Sequence, residues 1–377
     1  MPDLKADIAV IGAGIVGLAH ALAAAKRGHR VVLFERTSQA QGASIRNFGM
    51  IWPIGQAPGK IHQRALRTRQ IWLDLAPKAD IWLAQTGSLH LAYANDEYAV
   101  LTEFAALAPE LGYSVELLDQ DAVLARSHAV QPAGLKGGLW STTELCVDPR
   151  EAIAALPDYL AHEYGITLRF STPVHHIDLP RIHTPTETWS VDRAIVCSGT
   201  DFESLYPQVF ASSGLTRCKL QMMRTAPQPG NWRLGPMLAA GLTLRHYAAF
   251  KQCQTLAAYT QRIAAERPEF DQWGIHVMAS QNGRGEIVIG DSHEYGWVID
   301  PFDNPAIDQL ILDYLQTFLA APALHIVQRW HGIYAKHPDQ ADFIADPAPG
   351  VKIVNGISGA GMTTAFGLAE EVFTKWE

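Results

Sequence analysis

The segment ADIAVIGAGIVGLAHALAAAKRGHRVVLFER, residues 6–36, constrains this chain more than any other. Its apolar run from Ile8 to Ile11 predicts a short buried strand, the Ala- and Leu-rich stretch after Ile15 a helix, and Arg30 to Glu35 a second strand. Between the first strand and the helix stands Gly12-Ala13-Gly14-Ile15-Val16-Gly17. In such a turn Gly12 permits the reversal, Gly14 lets a pyrophosphate approach the main chain, and Gly17 lets the helix pack closely on the strand. The helix start adds free N–H groups and a partial positive charge for phosphates. Glu35, followed by Arg36, ends the second strand where a carboxylate can accept hydrogen bonds from a ribose. A plain glycine-rich turn would lack this ordered succession of strand, turn, helix, strand and acid. The segment therefore predicts a parallel α/β unit that binds a dinucleotide, and it leaves NAD and FAD both open.

The bulk composition narrows the class. The chain has 377 residues, 48% hydrophobic and 18% charged, which is enough for two domains with a sizeable core. A net charge of −8 speaks against nucleic acid as a partner. Cys146, Cys197, Cys218 and Cys253 are scattered without a CxxC pair, which argues against a metal site or a disulfide framework and suits a reducing compartment. The start MPDLKADIAVIGAG lacks the basic opening and cleavage site of a secretory signal, and no apolar run approaches the ~20 residues of a membrane span. The expectation is a cytoplasmic protein with neither a nucleic-acid nor a membrane partner.

The next segment separates the two cofactors. QGASIRNFGMI, residues 41–51, is a small-residue turn followed by Ser-x-Arg-Asn. It resembles the second flavin motif of the glycine oxidase, sarcosine oxidase and D-amino acid oxidase family, FAD-dependent amine oxidoreductases. By that resemblance Ala43, Ser44, Arg46, Asn47, Phe48 and Gly49 border the FAD, and Asn47 and Met50 also border the substrate. The other reading of this stretch is a polar loop after the second strand.

Further matches follow in family order. CVDPREAIAALPDYLAHEYGITLRFSTPVHHI, residues 146–177, resembles a helix leading to a strand whose backbone near Val174 meets the adenine. Asp148-Pro149 makes a helix start there. WSVDRAIVCSGT, residues 189–200, resembles the strand-then-glycine motif that brings Ser198 and Gly199 to the cofactor. KIVNGISGAGMTTAFGLAEEVF, residues 352–373, is a strand, a second glycine-rich turn and a helix. The resemblance places Gly356, Ser358, Gly359, Gly361, Met362 and Thr363 there, with backbone N–H groups toward the flavin edge where charge grows on reduction.

The implied fold class is α/β. A Rossmann-like FAD-binding domain of the glutathione-reductase-2 type (residues 1–80, 146–215 and 330–377) is interleaved with a mostly antiparallel α+β substrate domain (81–145 and 216–329). GRGEIVIGDSHEYG, residues 283–296, reads as a hairpin and strand of the latter. Residues 255–270, with Leu256, Tyr259 and Ile263 at helical spacing, read as a surface helix.

Members of this family move a hydride from the carbon beside an amine to flavin N5, and the imine then hydrolyses, so the protein mainly positions and desolvates the amine. No catalytic side chain is required, and no metal. Relatives acting on glycine or D-amino acids carry an arginine whose fork grips the carboxylate. Here the matching run is Gly332-Ile333-Tyr334-Ala335, so tyrosine replaces it. Gly332 also stands where the sarcosine-oxidase branch has a flavin-linked cysteine, which implies non-covalent FAD. Thr363 stands where that branch has a substrate-binding lysine, and Val288 stands near its oxygen-activating one, so oxidase and dehydrogenase both remain open.

Tyr334, Lys336, Thr363, Thr364, and Arg245 and Tyr247 of LTLRHYAAF offer donors for an acid group with three oxygens. On an extended strand Arg245 and Tyr247 would share a face with His246 opposite. Arg245 as a plain surface charge is the competing reading. The strings IRNFGMIWPIGQ, GLTLRHYAAF, GDSHEYG and WHGIYAKHP resemble one subfamily, associated with aminophosphonate breakdown. Its substrates are 2-aminoethylphosphonate or the N-methyl derivative, oxidised to phosphonoacetaldehyde with O₂ as the expected acceptor. The alternatives are an oxidase of another small amine or secondary amino acid, glycine- or sarcosine-like, and a flavin-binding protein without turnover.

Overall fold

The computed structural model describes residues 4–376. Its first elements are β1 (Ile8–Ile11), α1 (Ile15–Lys26) and β2 (Val31–Phe34), and every residue of both strands is buried. Continuous Ile, Val and Leu runs suit strands covered on both faces, as parallel sheets require. β1 lies between β2 and the strand Arg193–Val196, parallel to each. Val351–Asn355 extends the sheet on one side and Thr167–Arg169 on the other, and an antiparallel strand, Phe343–Ala348, closes the edge.

Turn chemistry holds this sheet together. Gly12 has φ +105°, and a Cβ there would fall 2.4 Å from the Cys197 carbonyl oxygen. A Cβ on Gly17 would fall 1.8 Å from the Gly12 carbonyl oxygen, so α1 reaches the turn only because no side chain intervenes. The helix Pro149–Tyr164 starts as expected, with Asp148 accepting hydrogen bonds from the N–H groups of Arg150 and Glu151.

A second, nine-stranded sheet carries the other half of the core. It is antiparallel except where Met237–Ala240 runs parallel to Ser88–Ala92. Its longest strands, Thr216–Pro227 and Ile326–Lys336, pair along nearly their full length and set Cys218 opposite Tyr334 and Leu220 opposite Gly332. The division expected at residue 330 therefore falls inside a strand, and residues 330–336 go with the larger sheet. The expected hairpin is present, joining Met278–Gln281 to Glu286–Gly290, as is the helix Leu256–Glu266 with Tyr259 and Ile263 inward. LTLRHYAAF is not extended: Leu242–His246 is a short helix followed by a 3-10 turn. No helix among the described residues is long and apolar enough to cross a membrane.

The C-terminal helix, Gly361–Trp376, is locked to the helix Lys60–Leu75 by side chains. Trp72 Nε1 donates to the Met362 carbonyl at 2.9 Å, and the Gly367 N–H donates to Thr68 Oγ1 at 2.8 Å. Arg64, only 2% exposed, reaches Glu371 and Asp342.

Candidate active site

One elongated cavity of about 720 Å³ runs from the end of β2 to the larger sheet. Its first part is built from the β1–α1 turn: Gly12, Gly14, Ile15 and Val16 line it, with Glu35 and Arg36 beyond them. Glu35 Oε2 accepts from the Ala13 N–H at 3.0 Å, and its Oε1 accepts from the N–H and hydroxyl of Thr37. Those bonds hold the carboxylate at the cavity wall without using all its lone pairs. Val174, Ser198 and Gly199 line the same part. Ala13 and Gly17 lie behind the wall, where they shape the turn rather than face the space.

The loop after β2 forms the middle. Ala43, Ser44, Arg46, Asn47, Phe48 and Met50 all line the cavity. Ser44 Oγ accepts from the Ile15 N–H at 3.0 Å and so ties this loop to the start of α1. The Asn47 amide is engaged by its own loop: Nδ2 donates to the carbonyls of Ala43 and Ser44, and Oδ1 accepts from Gly49. Asn47 is therefore a loop former with its side chain turned inward. Gly49 packs behind the wall, where a Cβ would strike the Val147 carbonyl. Arg46 Nη1 donates to the His331 carbonyl, and Trp330 Nε1 donates to the Arg46 carbonyl, which fixes the loop against the strand Ile326–Lys336.

The far part brings Gly332, Tyr334 and Lys336 together with the second glycine-rich turn, of which Ser358, Gly359, Gly361, Met362 and Thr363 line the space. A Cβ on Gly359 would lie 3.6 Å from Tyr334 Oη, so the phenol faces the start of the C-terminal helix. Gly356 does not line the cavity, and its N–H donates to Asn355 Oδ1 at 2.7 Å. Burial pushes the Tyr334 hydroxyl well above its ordinary range, which keeps it a neutral donor. Burial also lowers the Lys336 ammonium, which donates to Tyr295 Oη at 3.0 Å.

Two expected substrate ligands lie elsewhere. Because residues 242–246 coil, Arg245 turns away from the cavity and pairs with Asp271, while His246 and Tyr247 face in. Thr364 also turns away, its Oγ1 donating to the Ala360 carbonyl at 2.9 Å within its own helix. Thr363 stays at the wall, although its Oγ1 already accepts from the Trp52 N–H at 2.9 Å. The motifs missed His276, Asp291 and His293, which line the same end.

This cavity suits an FAD. It offers a glycine turn stripped of Cβ atoms for the pyrophosphate, a carboxylate for the ribose, and a second helix start at the far end for the flavin. The family model for "FAD dependent oxidoreductase" (DAO) matches residues 7–374. The chain belongs to that family. The glycine oxidase of Geobacillus kaustophilus (strain HTA426) is 26% identical over 205 residues, 51% of this chain and 54% of the relative. The sequence match thus spans about half of that relative's length. An opine oxidase polypeptide of Agrobacterium tumefaciens (strain Ach5) is 22% identical over 364 residues, 89% of this chain and 83% of its own. Among solved structures, glycine oxidase from Geobacillus kaustophilus superposes with a TM-score of 0.78 over 99% of this chain and 94% of that one, at 19% identity. L-proline dehydrogenase from P. horikoshii gives 0.76 over 100% and 95%, at 22% identity. These two likenesses establish the shared α/β fold with its added antiparallel sheet.

Proposed function

We propose that this member of the family oxidises a small amine that carries an acid group, and that the substrate is 2-aminoethylphosphonate or its N-methyl derivative. The observation that carries the reading is the inner end of the cavity, where Tyr334 and Lys336 stand on the strand Ile326–Lys336 and no arginine fork accompanies them. A tetrahedral dianion suits a hydroxyl and a point-charge ammonium, whereas a planar carboxylate suits a guanidinium. The six-stranded sheet then serves the cofactor and the nine-stranded sheet the substrate.

FAD, held without a covalent bond between the two glycine-rich turns, supplies the acceptor for the hydride that leaves the carbon beside nitrogen. The chain's own residues do the remaining work. The N–H groups at the start of the Gly361–Trp376 helix favour negative charge at that end of the cavity. Tyr334 donates a hydrogen bond toward the acid group. Phe48, Met50, Trp52 and Met278 wall the space with apolar surface and exclude water. The oxidised substrate is an imine, which water converts to phosphonoacetaldehyde and ammonia or methylamine. O₂ takes the two electrons and two protons as H₂O₂.

Anaerobic mixing with candidate amines tests this. 2-Aminoethylphosphonate or its N-methyl form is expected to bleach the flavin faster than glycine, sarcosine or D-alanine. Equal or faster bleaching by the simple amino acids would make this a glycine- or sarcosine-type enzyme instead, the class named by one of its relatives.

A further inference from the structure

Three histidines from separate elements meet at the inner end of the cavity. His246 comes from the short helix Leu242–His246, His276 from the lead-in to Met278–Gln281, and His293 from the link between Glu286–Gly290 and Glu294–Gly296. Their ligating nitrogens all lie within 4.8 Å of one another. His276 Nδ1 meets Asp291 Oδ1 at 2.6 Å, and His293 Nδ1 meets the Gly274 carbonyl at 2.9 Å. A carboxylate and a carbonyl only accept, so both rings carry hydrogen on Nδ1 and present Nε2 elsewhere. His276 Nε2 is buried and has no partner, in a residue only 3% exposed that forms part of the cavity wall. Leaving such an atom unpaired costs about 1–3 kcal/mol, which a ligand at this point would relieve.

We propose that His246, His276 and His293 form a proton-coupled site for the substrate's anionic acid group, with the proton taken up on His276 Nε2 and Asp291 as the positioning residue. This rests on the reading that the substrate carries such a group. Neutral imidazoles could equally hold a divalent cation, and the surrounding charges decide between the two. The Lys336 and Lys251 ammonium groups both act on His246, and Lys336 also acts on His293. The carboxylate facing the cluster is Asp291, already paired with His276. The other rings against it, Tyr247 and the buried His90, are neutral. Two ammonium groups repel a further cation and attract an oxyanion.

Burial lowers the pKa of His246 and His293, so both are neutral near pH 7 before anything binds. A bound dianion raises the pKa of the cluster. Asp291 stabilises the resulting imidazolium through Nδ1–H, and the new Nε2–H points at the anion. Affinity is then fully present below the free-state pKa and is lost as pH rises through the bound-state value, by about tenfold per pH unit for one proton.

Ethylphosphonate carries the acid group but no amine, so it can bind and cannot be oxidised. Its Kd for the FAD-loaded enzyme is read from the flavin absorbance change across pH, and proton uptake from calorimetry in two buffers of unlike ionisation enthalpy. The probe's own titration is common to all proteins compared. His276→Asn is expected to raise Kd at least tenfold at pH 6.5 and to abolish the protein's share of proton uptake. Asp291→Asn should move the alkaline loss of binding to lower pH.

The inference is overturned if either variant keeps the wild-type flavin spectrum and binds ethylphosphonate as the wild type does. It is equally overturned if the purified wild type holds a stoichiometric divalent metal that His276→Asn loses. Failure here while 2-aminoethylphosphonate still reduces the flavin leaves the proposed function standing. Tight, pH-dependent ethylphosphonate binding without reduction by any aminophosphonate supports the anion site and removes the substrate assignment.

Discussion

Replacing Arg64 with methionine tests how the C-terminal helix is held against the cavity. Arg64 is 2% exposed and makes two bonds to Glu371, at 3.0 and 2.9 Å, and one to Asp342. The carboxylate side chains are only 16% and 20% exposed, so Arg64→Met leaves two largely desolvated anions with Lys60 alone nearby, 3.3 Å from Glu371. Removing one partner of a buried pair costs about 3–5 kcal/mol, and at about 2 °C per kcal/mol for a chain of this size the melting temperature should fall by roughly 6–10 °C.

The loss should also depend on pH. Burial pushes Glu371 up, but the bonds from Arg64 and Lys60 outweigh it and hold the carboxyl below its ordinary value. A depressed carboxylate contributes stability that is present above its unfolded pKa of about 4.3 and is lost as pH falls through its folded value. The gap between wild type and Arg64→Met should therefore be flat from pH 6 to 8 and shrink below about pH 4.3. Denaturant unfolding of the FAD-loaded enzyme across that range measures it. Arg64→Met/Glu371→Gln should lose less than the sum of the two single changes, because one stranded charge is gone. A gap under 1 kcal/mol at neutral pH, or one that widens on acidification, would refute the reasoning.

Gly17→Ala should raise the Kd for FAD at least tenfold, because the new Cβ must displace the Gly12 carbonyl 1.8 Å away, and flavin release on dilution would show it. Arg245→Ala should leave KM for the amine within twofold, since Arg245 pairs with Asp271 outside the cavity, and a tenfold rise in steady-state KM would contradict that placement. Tyr334→Phe should lower kcat/KM by roughly threefold to tenfold, the worth of one hydrogen bond of about 1 kcal/mol, with the flavin content unchanged.

The nucleotide half of the fold could be read from the chain because its information is local. Strand, turn and helix are contiguous in residues 6–36, and each glycine answers a contact made within a few residues or to one adjacent strand. Asp148 and Pro149 announced their helix for the same reason. LTLRHYAAF misled because apolar and polar residues alternate over a length too short to separate a strand from one helical turn, and the helical choice exchanged Arg245 for His246 at the cavity wall. His276 and His293 carry no local signal. They approach through the backbone pair that His276 and Asp291 form, each N–H donating to the other's carbonyl, and through the pairing of Met278 with Gly290 beside it. Side chains gathered by sheet register become visible only when the register is known.

The strand Ile326–Lys336 is held by main-chain bonds along Thr216–Pro227, and its last residue bridges to Ile357 at the edge of the second glycine-rich turn. None of those bonds depends on which side chains stand at 334 and 336. The strand therefore works as a fixed rail with exchangeable fittings: a descendant could swap tyrosine and lysine for another grip on another acid group while the rail, and the distance it keeps to the helix start, stay as they are. Substrate choice is written here in side chains and cofactor geometry in backbone, so one can drift without unsettling the other.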